Sequence, residues 1–183
     1  MEKKILCIVG SLRKNSFNRQ LAEKCAELIG GRAEVAFLYY ADMPFMNQDA
    51  ESPVPAAVAR VRAEVQVADG IWIFTPEYNA AIPGVLKNLL DWLSRPLVAG
   101  DFSSGTAVMG KKVTISGAGG KNATRSARAD LKKLLEFMRM EVVAGEGTGI
   151  ALDGAAFGSD VLTLSTESDR ELRAQADAFL QVL

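Results

Sequence analysis

Short, wholly apolar runs alternate with amphipathic stretches along almost the whole chain, and this alternation constrains the fold more than any other feature. Ile5-Leu6-Cys7-Ile8-Val9 has no polar face, so it reads as a strand covered on both sides. Leu21, Cys25, Leu28 and Ile29 then recur at helical spacing and end at Gly30-Gly31. The pattern repeats. Strands are predicted at Val35–Leu38, Ile71–Phe74, Val113–Ser116 and Glu141–Ala144. Helices are predicted from Ser52-Pro53 with Val54, Val58, Val61 and Val65 inward, and from Pro83 toward Ser94. Two more follow, on Leu131, Leu134, Leu135 and Met138, and from a capping box Ser168-x-x-Glu171 to the carboxyl end.

Five such units predict an α/β doubly wound, five-stranded parallel sheet in the flavodoxin-like order 2-1-3-4-5, with residues 1–183 as one domain. A chain of 183 residues suits one core. In such a sheet a ligand belongs beyond the carboxyl ends of the strands, where the order reverses. That rule singles out three loops: Gly10–Asn18, Thr75–Pro83 and Gly117–Thr124. Tyr39–Ser52 and Pro96–Gly110 are long for connections and read as site-flanking or interface loops.

Composition removes whole classes of chemistry. The chain has no histidine, which excludes Ser-His-Asp and Cys-His machinery and imidazole metal sites. Its two cysteines, Cys7 and Cys25, form no CxxC, and no disulfide framework or thiolate metal site is expected. A reduced, cytoplasmic setting fits, and the apolar run at Ile5 is too short for a secretory or membrane segment. A net charge of −1 argues against nucleic acid and anionic membranes as partners. Any chemistry is therefore expected from a bound cofactor.

The first loop, Gly10-Ser11-Leu12-Arg13-Lys14-Asn15-Ser16-Phe17-Asn18, leaves a buried strand and enters a helix, a setting that attracts anions. Ser11, Ser16 and Asn18 add donors and Arg13 a cation, a set suited to a phosphate monoester. No GxxxxGK[ST] and no early GxGxxG occurs, which weakens nucleoside triphosphate and Rossmann readings. In the second loop, Pro76 and Pro83 stiffen a bend carrying Glu77, Tyr78 and Asn79. Its amides can face a flat ring, Tyr78 can pack beside one, and Glu77 can cap neighbouring amides. The third loop, Ser116-Gly117-Ala118-Gly119-Gly120, lets backbone approach a ring edge. Gly145-x-Gly147-x-Gly149 imitates a dinucleotide fingerprint without the helix that should follow it. Trp92 is read as core or subunit interface.

The stretches Gly-Ser-Leu-Arg-Lys-x-Ser-x-Asn (10–18) and Pro-Glu-Tyr-Asn-x-x-x-Pro-Gly-x-Leu-Lys-Asn-x-x-Asp-Trp-x-Ser-Arg (76–95) together resemble the NAD(P)H-dependent FMN reductase family, whose members include quinone, azo-dye and chromate reductases. The resemblance implies non-covalent FMN, NADPH or NADH as co-substrate, a small-molecule electron acceptor, and a homodimer or homotetramer. It assigns the FMN phosphate to Ser11, Arg13, Ser16 and Asn18 with backbone help at Phe17. It sets Pro76, Glu77, Tyr78 and Asn79 beside the isoalloxazine and adds Ser116, Gly117, Gly119 and Gly120 after the fourth strand. The implied reaction is ping-pong hydride transfer through flavin N5, needing no catalytic side-chain acid or base. Ala80 and Ala81 stand where the family often has Ser or Thr. The alternative is a flavodoxin-like electron carrier without NAD(P)H oxidation. Such carriers are usually strongly acidic, which a charge of −1 does not match.

Overall fold

A computed structural model describes residues 2–183. Its central sheet is parallel and contains β1 (Lys4–Val9), β2 (Glu34–Phe37), β3 (Gly70–Phe74), β6 (Lys112–Gly119), β7 (Glu141–Val142) and β8 (Thr148–Ala151). The spatial order is β2-β1-β3-β6-β7, with β8 also on β6. This is the expected 2-1-3-4-5 arrangement with one change: the fifth position is built from two short strands. Helices α1 (Phe17–Ile29), α2 (Ala56–Val67), α3 (Gly84–Leu93), α4 (Arg125–Phe137), α5 (Gly154–Ser159) and α6 (Thr166–Val182) complete the chain. Among the described residues no helix is long and apolar enough to cross a membrane.

Alternate residues of β1 explain its unbroken apolar run. Ile5, Cys7 and Val9 pack with Leu21 and Cys25 of α1 and Phe179 of α6. Leu6 and Ile8 pack with Val61 of α2, Leu86 of α3 and Leu131 of α4. Two cores thus lie on the two faces of one sheet. In the α1/α6 core Trp72 stacks on Phe74 at 5.3 Å and meets Phe179 edge-on at 6.0 Å. Cys7 and Cys25 are free, buried thiols. Burial pushes Cys7 up to about 12, and Cys25 also moves upward, so both stay protonated and inert.

The fifth strand breaks because Ala144, Gly145 and Gly147 adopt left-handed φ values of 62°, 62° and 65°. A Cβ on Gly147 would lie 1.6 Å from the carbonyl oxygen of Ile115, so only glycine fits beneath β6. Gln175 of α6 then does the work of the missing rung. Its Nε2 donates to the Ile115 carbonyl and to Thr114 Oγ1, both at 2.7 Å. Its Oε1 accepts from Thr148 N (3.1 Å) and Ser116 Oγ (3.0 Å). Gly149 is equally constrained, since a Cβ there would sit 2.3 Å from the Ala123 carbonyl and 2.5 Å from Arg128. Gly147 and Gly149 therefore serve close packing of backbone.

Other boundaries differ from expectation for local reasons. The helix expected from Ser52-Pro53 begins at Ala56 behind Pro55, which leaves Val54 ahead of it. The last helix opens three residues earlier than its expected box: Ser165 is the N-cap and accepts from Ser168 N at 3.1 Å, with Glu167 and Asp169 in the first turn. Pro96–Gly110 is largely a hairpin of β4 (Pro96–Val98) and β5 (Asp101–Thr106), with Phe102 and Val98 exposed. Trp92 is fully buried and donates from Nε1 to the Pro44 carbonyl at 2.9 Å. It fixes the 39–52 segment from within, so it lends nothing to a subunit interface.

Candidate functional site

The carboxyl ends of β1, β3 and β6 open into a cleft of about 400 Å³. Its lining draws on all three loops singled out by topology: Ser11, Arg13, Ser16, Phe17 and Asn18; Pro76, Glu77 and Tyr78; Ala118, Gly119 and Gly120. A fourth wall comes from Leu152, Phe157 and Asp160.

Ser16 is the N-cap of α1, its side chain accepting from Arg19 N at 3.3 Å. The first-turn amides of Phe17 and Asn18 have no acceptor within the helix. They face the cleft end of a 13-residue helix, where an anion is favoured. Asn18 is buried and bridges α1 to β6. Its Nδ2 donates to the Ala118 carbonyl at 2.9 Å, and its Oδ1 accepts from Ala118 N at 2.8 Å. Its side chain thus fixes the relation of two cleft walls and keeps one free N–H. Arg13 and Asp160 form an ion pair at 2.6 Å. The hydrogen bonds from Arg13 and Asn15 hold the Asp160 carboxyl below the usual carboxylate range.

On the second loop, Tyr78 and Ala81 exchange backbone hydrogen bonds of 3.2 and 3.1 Å around Asn79 and Ala80, whose φ values are 54° and 58°. This is a tight two-residue reversal of the I′ kind. It presents Tyr78, half exposed, to the cleft and turns Asn79 to the exposed tip, away from the lining. Tyr78 Oη lies 3.5 Å from Ser11 Oγ, so the first two loops meet across the cleft mouth. Tyr40 is buried beside them and donates to the Val9 carbonyl at 2.6 Å. Burial, then the nearness of Tyr78, push its phenol upward, so it stays neutral. Burial alone would raise Glu77, but the Ala127 amide, the Asn122 side chain and the Ser126 amide outweigh it and hold the carboxyl low. Glu77 therefore caps α4, distant in sequence, and not the amides neighbouring it in its own loop.

The third loop is mostly strand. β6 runs on to Gly119, so Ser116 and Gly117 lie within the sheet and not on the cleft. Ser116 is fully buried, accepts from Trp72 Nε1 at 3.0 Å and donates to Gln175. Gly117 makes room for Thr124: a Cβ would lie 2.1 Å from Thr124 Oγ1 and 2.4 Å from the Thr75 carbonyl. Gly119 likewise faces Thr124 Cγ2 at 2.7 Å. Gly120 is different, for it lines the cleft and a Cβ there meets nothing within 4 Å. Of the expected site residues, then, Asn79, Ser116 and Gly117 stand outside the lining and the other ten line it.

Sequence reasoning missed Leu152, Phe157 and Asp160. Helix α5 has only six residues, too few for a periodic signal. Its one legible cue is Asp153, whose side chain accepts from Ala156 N at 2.8 Å as N-cap.

A parallel sheet with a helix N-terminus at its switch point and a cleft beside it defines a flavodoxin-like fold. The comparisons with known proteins are sharper. The family model for NADPH-dependent FMN reductase matches residues 3–151, and the chain belongs to that family. It is similar to a 2-hydroxy-1,4-benzoquinone reductase of a Burkholderia species, 45% identical over 96 residues. That match covers 52% of this chain and 52% of the relative, so the chain spans about half the length of that protein. A quinone reductase of Pseudomonas putida is 36% identical over 129 residues, covering 69% and 68%. Among solved structures, FerB, a flavoenzyme NAD(P)H:(acceptor) oxidoreductase from Paracoccus denitrificans, superposes with a TM-score of 0.84 at 29% identity, covering 98% of this chain and 96% of that one.

Proposed function

We propose that residues 1–183 form one FMN-binding domain and that the protein is an NAD(P)H-dependent FMN oxidoreductase. In this reading it carries electrons from NADPH or NADH to quinones or similar acceptors, such as flavins, azo dyes or chromate. The observation that carries the reading is the convergence of Ser11, Arg13 and Ser16, the first-turn amides of α1, Tyr78 and Gly120 on one cleft. The donor set fits a phosphate monoester. Gly120 leaves open room where a side chain would intrude.

Ser11, Ser16, Arg13 and the amides of Phe17 and Asn18 would hold the FMN phosphate. Pro76, Glu77, Tyr78 and Gly119–Gly120 would border the isoalloxazine. Bound there, FMN would supply the redox chemistry, hydride transfer between NAD(P)H and a small-molecule acceptor. The chain orients the reactants and sets the charge around them; with no histidine, it moves no proton by imidazole. Half-exposed Tyr78 leaves one side of the cleft reachable by nicotinamide and acceptor in turn.

The proposal extends to a homodimer or homotetramer, supported by the exposed Phe102 and Val98 of the hairpin. It also extends to a cytoplasmic location, supported by the two free cysteines. Anaerobic stopped-flow tests the enzyme reading. NADPH should bleach bound FMN without any partner protein, and a quinone should restore the colour. Bound FMN that ignores both NADPH and NADH would favour an electron carrier.

A further inference from the structure

The donors of the first loop already hold an anion, and it is a side chain of this same molecule. Asp160 lies beyond residues 3–151, the part shared with the family model. Arg13 Nη2 donates to its Oδ1 at 2.6 Å and Arg13 Nη1 to its Oδ2 at 3.2 Å. Asn15 Nδ2 reaches the same Oδ2 at 3.2 Å. Three donors of the loop that should grip a phosphate thus converge on one carboxylate, and that carboxylate lines the cleft.

The carboxylate is delivered there by contacts other than its own ion pair. Asp160 ends α5 in the left-handed region, φ 62°, with its N–H on the Ala156 carbonyl at 2.9 Å. Gln20 of α1 grips both sides of it: Nε2 donates to the Asp160 carbonyl at 2.9 Å, and Oε1 accepts from Leu162 N at 2.8 Å. Phe157 packs edge-on against Phe17 at 5.7 Å, and the Arg13 guanidinium lies 5.2 Å from the same Phe17 ring. Backbone, amide and aromatic contacts therefore hold α5 against the first turn of α1 and aim Asp160 at Arg13.

A carboxylate beside a site for a doubly charged ester weakens that ester's binding by repulsion and by occupying its donors. Building on the FMN reading, we propose that Asp160 is an internal anion that competes with the ligand phosphate for Arg13, and so sets how tightly a phosphorylated flavin is held. On phosphate binding the Arg13 guanidinium exchanges one anion for the other. Riboflavin, which lacks the phosphate, does not enter this competition.

The test is titration of the wild-type chain and of Asp160→Asn with FMN and with riboflavin, followed by flavin fluorescence at low and high salt. Asparagine tolerates the left-handed backbone and keeps the side-chain volume, so α5 should stay in place. Asp160→Gly, also at ease there, is the second variant, and urea melts check that both fold. The expected result is FMN binding about three- to tenfold tighter in both variants, with riboflavin unchanged and the gain shrinking at high salt. Unchanged or weaker FMN binding in the variants, or an equal gain for riboflavin, would overturn the competition. Wild-type protein that does not favour FMN over riboflavin would overturn both this inference and the FMN reading beneath it. A wild-type preference for FMN without a gain in the variants would remove the competition alone.

Discussion

Glu77 Oε2 accepts a hydrogen bond from the amide of Ala127 at 3.0 Å, joining the bend after β3 to the first turn of α4. Asn122 Nδ2 reaches the other carboxylate oxygen at 3.1 Å. The loop that borders the cleft is thus fastened to the helix that follows β6.

This cap makes stability depend on pH in one direction. The folded carboxyl is held below its ordinary value of 4.5. Its stabilisation is present above that value and is lost as pH falls through the folded value. Glu77→Gln should lower stability at pH 7 by about 1 kcal/mol. Urea melts from pH 7 down to pH 3 check this, and the gap between wild type and variant should close toward the acid end.

Two glycines of one segment should respond oppositely. Gly117→Ala forces a Cβ against Thr124 Oγ1 and the Thr75 carbonyl, at 2.1 and 2.4 Å, and should cost roughly 2–3 kcal/mol of stability. A Cβ at position 120 meets nothing within 4 Å, so the melting temperature of Gly120→Val should stay near wild type. Gly120 lines the cleft, however, and FMN affinity should fall at least about tenfold. Calorimetric melts paired with FMN titrations separate the two outcomes.

Ala80 occupies a backbone conformation that suits glycine, with φ 58° at the tip of the Tyr78–Ala81 reversal. Ala80→Gly should stabilise the fold by about 1 kcal/mol, because left-handed φ costs an alanine roughly that much. The chemical-denaturation midpoint reads it directly.

Gln175 replaces ladder hydrogen bonds that a broken fifth strand cannot make. Gln175→Leu keeps the volume but leaves the Ile115 carbonyl and the Thr148 amide without their partner. A loss of about 2–4 kcal/mol is expected. Hydrogen exchange should show the faster opening concentrated at β8, with β1 and β3 little changed.

What the chain discloses by itself follows from the range of the forces involved. Ile5–Val9, apolar on both faces, and the helical stripe beginning at Leu21 are local patterns, and they locate the sheet, its order and the three cleft loops. Ser11, Arg13 and Tyr78 are legible for the same reason: their chemistry belongs to loops that topology had already placed at the strand ends. Asp160 is not legible in this way, because its partner Arg13 lies far off in sequence and the intervening helix is too short to mark itself. Ser116 and Gly117 mislead for a related reason. Nothing nearby in the sequence tells a strand residue that faces Trp72 or Thr124 from a loop residue that faces a ligand. The split fifth strand depends on Gln175, which arrives only with the last helix.

Calorimetric titration of the flavin-free protein with FMN, with Arg13→Ala beside it, is the most direct measurement of the central claim. The account predicts one FMN per chain and an affinity that drops by at least about tenfold when the Arg13 charge is removed. An Arg13→Ala protein that takes up FMN as the wild type does, or a wild type that takes up none, would contradict it.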